Sequence, residues 1–256
     1  MMRARALLLV ALVAACVPAG AAGDNLFIGQ VAVEDARATT ETRQALHYRI
    51  IHDDPARLAS QLAGWISTPV QSGNGISFSL DAYPVTRTPE ADGSQLASSF
   101  LIDYAEPPVQ ALGSRIEARY GSHPSPTELE QFVYEYINDK NSARGFDVAS
   151  VVARSRAGDC TEHAVLLTAL LRMYGYPART VLGIFVSLQE PVRGYGHAWA
   201  EYRGNAGWIG IDGTRIDTSV GAHYIPLGVI RDESIAYRMA VAGALHNLSI
   251  KKITVE

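Results

Sequence analysis

Cysteine is scarce in this chain, which has two in 256 residues, Cys16 and Cys160. That scarcity excludes the disulfide framework that staples small extracellular domains. Charge of one sign is lacking too: 22 Lys and Arg stand against 26 Asp and Glu, for a formal net charge of −4. No basic surface follows from such a balance, so nucleic acid is not expected as a partner. Charged residues reach only 19% and hydrophobic ones 48%, which excludes a charge-rich disordered chain and leaves enough apolar side chains for a sizeable core. There is no internal repeat. The longest apolar run opens the chain, and at about 1.5 Å of rise per residue it is too short to span a bilayer.

That opening run reads as an export signal over residues 1–22. Arg3 and Arg5 precede the apolar stretch from Ala6 to Val17, and small residues follow at Ala19-Gly20-Ala21. Two processing outcomes fit. Cleavage near Ala21 or Ala22 is preferred; the run Val13-Ala14-Ala15-Cys16 also resembles a bacterial lipobox, and lipidation at Cys16 would anchor the protein. The expected location is periplasmic or secreted, with membrane contact only if Cys16 is lipidated. Either outcome leaves Cys160 as the single cysteine available for chemistry. A lone thiol in an oxidising compartment is either an inert core residue or one kept for reactivity.

Residues 23–120 read as a β-rich or mixed region, with β-prone runs at 45–51, 75–80 and 98–104 and a helix over 57–66. Residues 121–256 read as a second, catalytic domain. It opens with a capping box at Ser125 and Glu128, with Pro126 at the first helical position and Leu129, Phe132, Val133, Tyr136 and Ile137 at helical spacing. A shorter helix is expected over 146–154. Asp159 and Glu162 form another capping box around Cys160, and residues 164–173, apolar on nearly every side, predict a buried helix ended by Gly175 and Pro177. Strands are expected over 180–188, 196–203, 208–212 and 248–255, which makes the fold α+β.

Cys160 therefore sits in the first turn of a buried helix, where free backbone N–H groups and the positive end of the helix dipole favour a thiolate. The same N–H groups suit an oxyanion formed during acyl transfer. A thiol nucleophile also needs a base and a group that orients the base. His197, Trp199 and Glu201 share one face of their strand, and Trp208, Gly210 and Asp212 share one face of the next. A two-residue turn at Gly204-Asn205 puts His197 directly opposite Asp212, within reach of a hydrogen bond. A one-residue slip would send Asp212 to the wrong face. Asp159 and Glu162 are expected to cap the helix, and His163 to hydrogen-bond near the site. Tyr195, between Gly194 and Gly196, and Trp199 are candidates to line a substrate groove, although strand aromatics are as readily core residues. For His47, His52, His123, His223 and His246 the sequence names no catalytic role, and solvated or structural roles are the default.

Three stretches carry a resemblance: Gly158-Asp159-Cys160-Thr161-Glu162-His163-Ala164, with its helix and Tyr176-Pro177-Ala178-Arg179; His197-Ala198-Trp199-Ala200-Glu201; and Gly207-Trp208-Ile209-Gly210-Ile211-Asp212-Gly213-Thr214. In order and spacing they resemble the bacterial transglutaminase-like proteins of the papain-like cysteine-protease group, over about a third of the chain. The resemblance implies a papain-like or transglutaminase-like core, with Cys160 as nucleophile, His197 as general base and acid, and Asp212 as orienting carboxylate. Gly213 stands where the family often has Pro. No side chain is evident for the oxyanion donor that these enzymes often add. The implied activity is amide or peptide hydrolysis through a thioester, on a peptide, protein or cell-envelope substrate and with no cofactor. The alternatives are transglutaminase-type crosslinking, a silent binding module, and a metal site built from Cys160, His163, His197 and Asp212.

Overall fold

The structure is a computed structural model that describes residues 30–37, 45–66, 69–81, 91–141, 145–216, 219–239, 241 and 250–256. The leader expected over 1–22, with Cys16, lies outside the described residues, as does His246. Four strands, β1 (Gln30–Asp35), β2 (Ala45–His52), β3 (Val70–Ser72) and β4 (Gly75–Asp81), and helices α1 (Pro55–Leu62) and α2 (Pro107–Tyr120) make up the first part. Helices α3 (Pro126–Tyr136), α4 (Ala149–Ser155) and α5 (Cys160–Met173) follow, then strands β5 (Ala178–Ser187), β6 (Arg193–Arg203), β7 (Trp208–Ile211), β8 (Tyr224–Val229) and β9 (Ile250–Val255). The α+β class read from the sequence is the one observed.

The described strands form one nine-stranded sheet in the order β3-β4-β2-β9-β1-β6-β5-β8, with β7 on β6. β1 is the joint. Its first half, from Gln30 to Ala32, pairs antiparallel with β6, and its second half, from Val33 to Asp35, pairs parallel with β9. The sheet curls, so that Ile184, Val186, Ile225 and Leu227 of β5 and β8 share a core with Leu46, Tyr48 and Ile50 of β2. Tyr48 donates its hydroxyl proton to the carbonyl of Ala222 across that core, at 2.7 Å. The boundary expected at residue 120 falls between α2 and α3, whose apolar faces (Val109, Leu112 and Ile116; Leu129, Phe132 and Val133) belong to one helical core with α4 and α5.

Both expected capping boxes form. Ser125 and Glu128 exchange hydrogen bonds at the start of α3, as do Asp159 and Glu162 at the start of α5. From Cys160 to Arg172 every residue of α5 is buried, as its apolar circumference requires. Its last-turn cation, Arg172, is satisfied by the Ala178 and Ala97 carbonyls and by the Glu233 carboxylate.

Three sequence expectations need correction. Residues 98–104 form no strand; they run irregularly into α2, which was not anticipated despite the helical spacing of Val109, Leu112 and Ile116 behind Pro107. The helix expected over 146–154 begins at Ala149, because Phe146 takes a left-handed conformation with φ 55°. Strand β8 was missed because Pro226 interrupts its run; a proline is tolerated there because β8 is an edge strand with a register shift opposite Leu182 and Gly183.

A buried ion pair ties the first part to the second. Arg179 of β5 and Glu201 of β6 pair at 2.6 Å, the Trp65 indole N–H donates to Glu201 at 2.9 Å, and the Arg179 guanidinium lies between the Trp65 and Trp208 rings. Such a pair adds little over apolar packing, but removing one member strands the other in a dry interior. Glu201→Ala is therefore expected to destabilise the fold by about 3–5 kcal/mol, a fall of about 10 °C in melting temperature, measured by thermal unfolding followed by circular dichroism.

Candidate active site

The site sits at a gap in the edge of β6. β5 pairs along one side of β6 from Arg193 to Tyr202. On the other side β1 pairs with residues 193–195 and β7 with residues 200–203, so among the described residues no strand lies beside residues 196–199. The N-terminus of α5 packs against β6 there, and the backbone N–H of Ala198 faces the Cys160 sulfur, where it favours the thiolate. His197 is the preceding residue. By strand alternation its side chain leaves the opposite side of β6 from Ala198 and Ala200, which face the helical core with Cys160, and the open edge at residues 196–199 is where the two sides meet. The His197 ring lies among Phe185, Trp199 and Tyr224, with ring centroids 5.8–6.4 Å away.

The structure brings His197 and Asp212 together: Nε2 of the imidazole lies 2.7 Å from Oδ2 of the carboxylate. The register that achieves this is not the expected one. The turn spans residues 204–207, closed by Gly204 N–H donating to the Gly207 carbonyl at 2.8 Å, and Ala200 pairs with Ile211. Compared with a two-residue turn the register has moved by two, which keeps every side chain on its face. Asp212 is diagonal to His197 rather than opposite it, lies just beyond β7, and reaches back along the gap.

The Asp212 carboxylate is fully engaged. Oδ2 also accepts from the Tyr224 hydroxyl at 3.0 Å, and Oδ1 accepts from the Thr214 amide and hydroxyl at 2.9 and 2.6 Å. Burial by itself raises the carboxyl, but His197 and Thr214 outweigh it and hold the group below its ordinary range. Because a carboxylate only accepts, Nε2 of His197 carries the proton, which makes Nδ1 the basic nitrogen of the neutral ring.

Gly183 lies directly across the ladder from His197. A Cβ there would stand 2.1 Å from the Ile225 carbonyl and 2.6 Å from the Trp199 ring, so glycine is what lets Trp199 lie flat beside His197. Trp199 is accordingly a core residue in a cluster with Val181, Phe185 and Tyr224, not a groove wall. Tyr195 is held in the ladder on both edges, opposite Phe185 and Gln30, and its partly buried side chain packs against the same cluster.

Asp159 accepts from the amide and hydroxyl of Thr161 at 2.9 and 2.7 Å, as a cap should. Glu162 accepts from the amides of Asp159 and Asp147 and from the Thr161 hydroxyl, each at 2.9 Å. Burial, then the charge of Asp159, pushes Glu162 up to about 7. Gly158, at φ 149°, leaves room for this carboxylate, since a Cβ would fall 2.3 Å from the Glu162 side chain. His163 donates Nδ1–H to the Asp159 carbonyl at 2.7 Å, and burial pulls its pKa down to about 4. Among the described residues no group of three or more His, Cys, Asp and Glu side chains is arranged to hold a metal ion.

The Cys160 thiol departs from the sequence expectation. A helix N-terminus stabilises an anion by only roughly 0.3–2 kcal/mol, and full burial of a charged group opposes it by more. Burial wins. Together with the charges of Asp159, Asp212 and Glu162, it raises the thiol well above its ordinary value, against the single opposing hydrogen bond from Ala198.

Residues 115–213 match the family model of the transglutaminase-like superfamily, the family that the three motifs resemble. The chain is similar to solved structures that include a candidate cysteine protease of Cytophaga hutchinsonii, 20% identical with a TM-score of 0.46 over 62% of this chain and 56% of that one. The periplasmic domain of TgpA from Pseudomonas aeruginosa, bound to ethylmercury, is 22% identical with a TM-score of 0.37 over 55% and 54%. A candidate protease of Parabacteroides distasonis is 10% identical with a TM-score of 0.32 over 65% and 40%. The chain thus spans about half the length of the first of these structures. No curated protein matches it.

Asp159→Asn keeps the cap, because asparagine caps about as well as aspartate, and removes the charge that most opposes the thiolate. In a Cys16→Ser background, which leaves Cys160 as the single thiol, the variant is expected to lower the midpoint of the pH profile for iodoacetamide alkylation. The rate at pH 8 should rise several-fold, with the melting temperature nearly unchanged.

Proposed function

We propose that this chain is an exported acyl-transfer enzyme that hydrolyses amide or peptide bonds, with Cys160 as nucleophile, His197 as base and then acid, and Asp212 as the carboxylate that orients the ring. The observation that carries this reading is the arrangement of consecutive residues: the N–H of Ala198 meets the Cys160 sulfur, and the adjacent His197 is locked to Asp212 at 2.7 Å.

Because burial opposes a free thiolate, the proton leaves sulfur only as Nδ1 of His197 accepts it, and the resulting imidazolium is stabilised by Asp212 through Nε2–H. Sulfur bonds to the carbonyl carbon, and the carbonyl oxygen takes the negative charge. The first-turn N–H of Cys160 is suited to receive that oxygen, the Thr161 N–H being occupied by Asp159. Collapse of the intermediate breaks the C–N bond, the amine leaves with the proton from Nδ1, and a thioester remains. His197 then takes a proton from water, whose oxygen adds to the thioester; sulfur departs, recovers its proton, and the acid is released.

The substrate class is a peptide, a protein or cell-envelope peptide material. Export follows from the apolar leader, with lipidation of Cys16 as a route to membrane attachment. Among the described residues no helix is long and apolar enough to cross a membrane.

The test uses the full chain with a peptide mixture and a labelled primary amine. Wild type is expected to generate new amino termini; Cys160→Ala should generate none, and His197→Ala and Asp212→Ala should lower kcat by on the order of 10²-fold or more. Incorporation of the amine without hydrolysis would assign crosslinking instead. Peptide binding without either product, unchanged in Cys160→Ala, would make the chain a binding module and overturn the proposal.

A further inference from the structure

The backbone of Asp212 poses a problem that its side chain does not. The β6–β7 ladder ends at the Ala200–Ile211 pair, so the Asp212 N–H emerges where the strand has left the sheet. Glu130, in the middle of α3, supplies the acceptor: Oε1 lies 2.7 Å from the Asp212 nitrogen. We propose that Glu130 is a positioning residue for the His197–Asp212 pair, pinning the Asp212 backbone to α3 and so setting the angle at which the carboxylate meets the imidazole. This rests on the reading of Asp212 as the group that orients His197.

The division of labour around Asp212 supports it. His197, Tyr224 and Thr214 fix the two carboxylate oxygens, while the Glu130 bond acts on the main chain one step earlier. α3 is a rigid anchor, with a completed capping box and with Leu129 and Val133 in the helical core. Val133 also packs under the following turn, where a Cβ on Gly213 would meet it at 2.9 Å. The arrangement sets one carboxylate beside another, a cost that simple packing would avoid. Burial and the charge of Asp212 together push Glu130 up to about 7, against the opposing amide hydrogen bond. The titratable groups facing it are Asp212 and, from β6, Tyr202, with Tyr176 behind Tyr202.

The test reads the His197–Asp212 hydrogen bond directly and needs no substrate. In 15N-histidine-labelled full chain, the imidazole N–H held by Asp212 gives a downfield proton resonance, identified by its loss in His197→Ala. Glu130→Gln keeps an acceptor oxygen in place and is expected to leave that resonance at its wild-type position. Glu130→Ala removes the acceptor and Glu130→Asp withdraws it by one methylene, and both should move the resonance upfield and broaden it. Should Glu130→Ala not fold, the Gln and Asp variants decide alone. A resonance unmoved in Glu130→Asp and in folded Glu130→Ala overturns the inference, whatever the turnover. Failure of the enzymatic reading would instead appear as absent turnover with the resonance intact.

Discussion

The architecture depends on β6 being longer than the strands that flank its outer edge. β1 covers one end and β7 the other, and among the described residues no strand neighbours the four residues between them on that side. A bare edge inside a folded protein leaves backbone donors to be satisfied. The N-terminus of α5 enters there, bringing the Cys160 sulfur to the Ala198 N–H, and Asp212 returns past the end of β7 to His197. One interruption in a ladder thus brings Cys160 to the backbone beside His197 and Asp212 to its ring, across up to fifty-two positions in the chain.

Two effects compete at the sulfur, and their magnitudes settle its resting state. The helix terminus favours an anion modestly, while complete burial beside Asp159 opposes it by more. The thiol is therefore held neutral at rest. Around Asp212 the opposite balance holds, because four donors from His197, Tyr224 and Thr214 compensate its burial.

The strands of the first part complete the sheet that carries His197. β1 and β9 join its two halves, and Trp65 reaches Glu201 on the same strand as His197. Arg179 and Glu201, which lie within the family-like stretches, act here as a buried pair that fastens β5 to β6 and to the turn after α1. The rigidity of β6 at His197 thus depends in part on residues more than a hundred positions away.

Much of the local structure was legible in the sequence. The capping boxes of α3 and α5, the burial of α5, and strands β5, β6, β7 and β9 follow from hydrogen-bonding side chains and periodicity acting over a few residues. Cys160, His197 and Asp212 stood out because their residue types and faces were readable in the same way. Less legible were α2, whose helical spacing lay within a region otherwise punctuated for strands, and β8, which Pro226 concealed, so that Tyr224 was missed as a ligand of Asp212. Glu130 carries no local signal, since its partner is an amide exposed only by the end of a distant ladder. The sequence alone determined the helices α3 and α5, the strands β5, β6, β7 and β9, and the face each of their residues occupies, because these are set by neighbours in the chain. Tertiary structure decided the four-residue turn, the diagonal reach of Asp212 and the neutral state of the thiol, because register and burial depend on which distant strands and helices close around them.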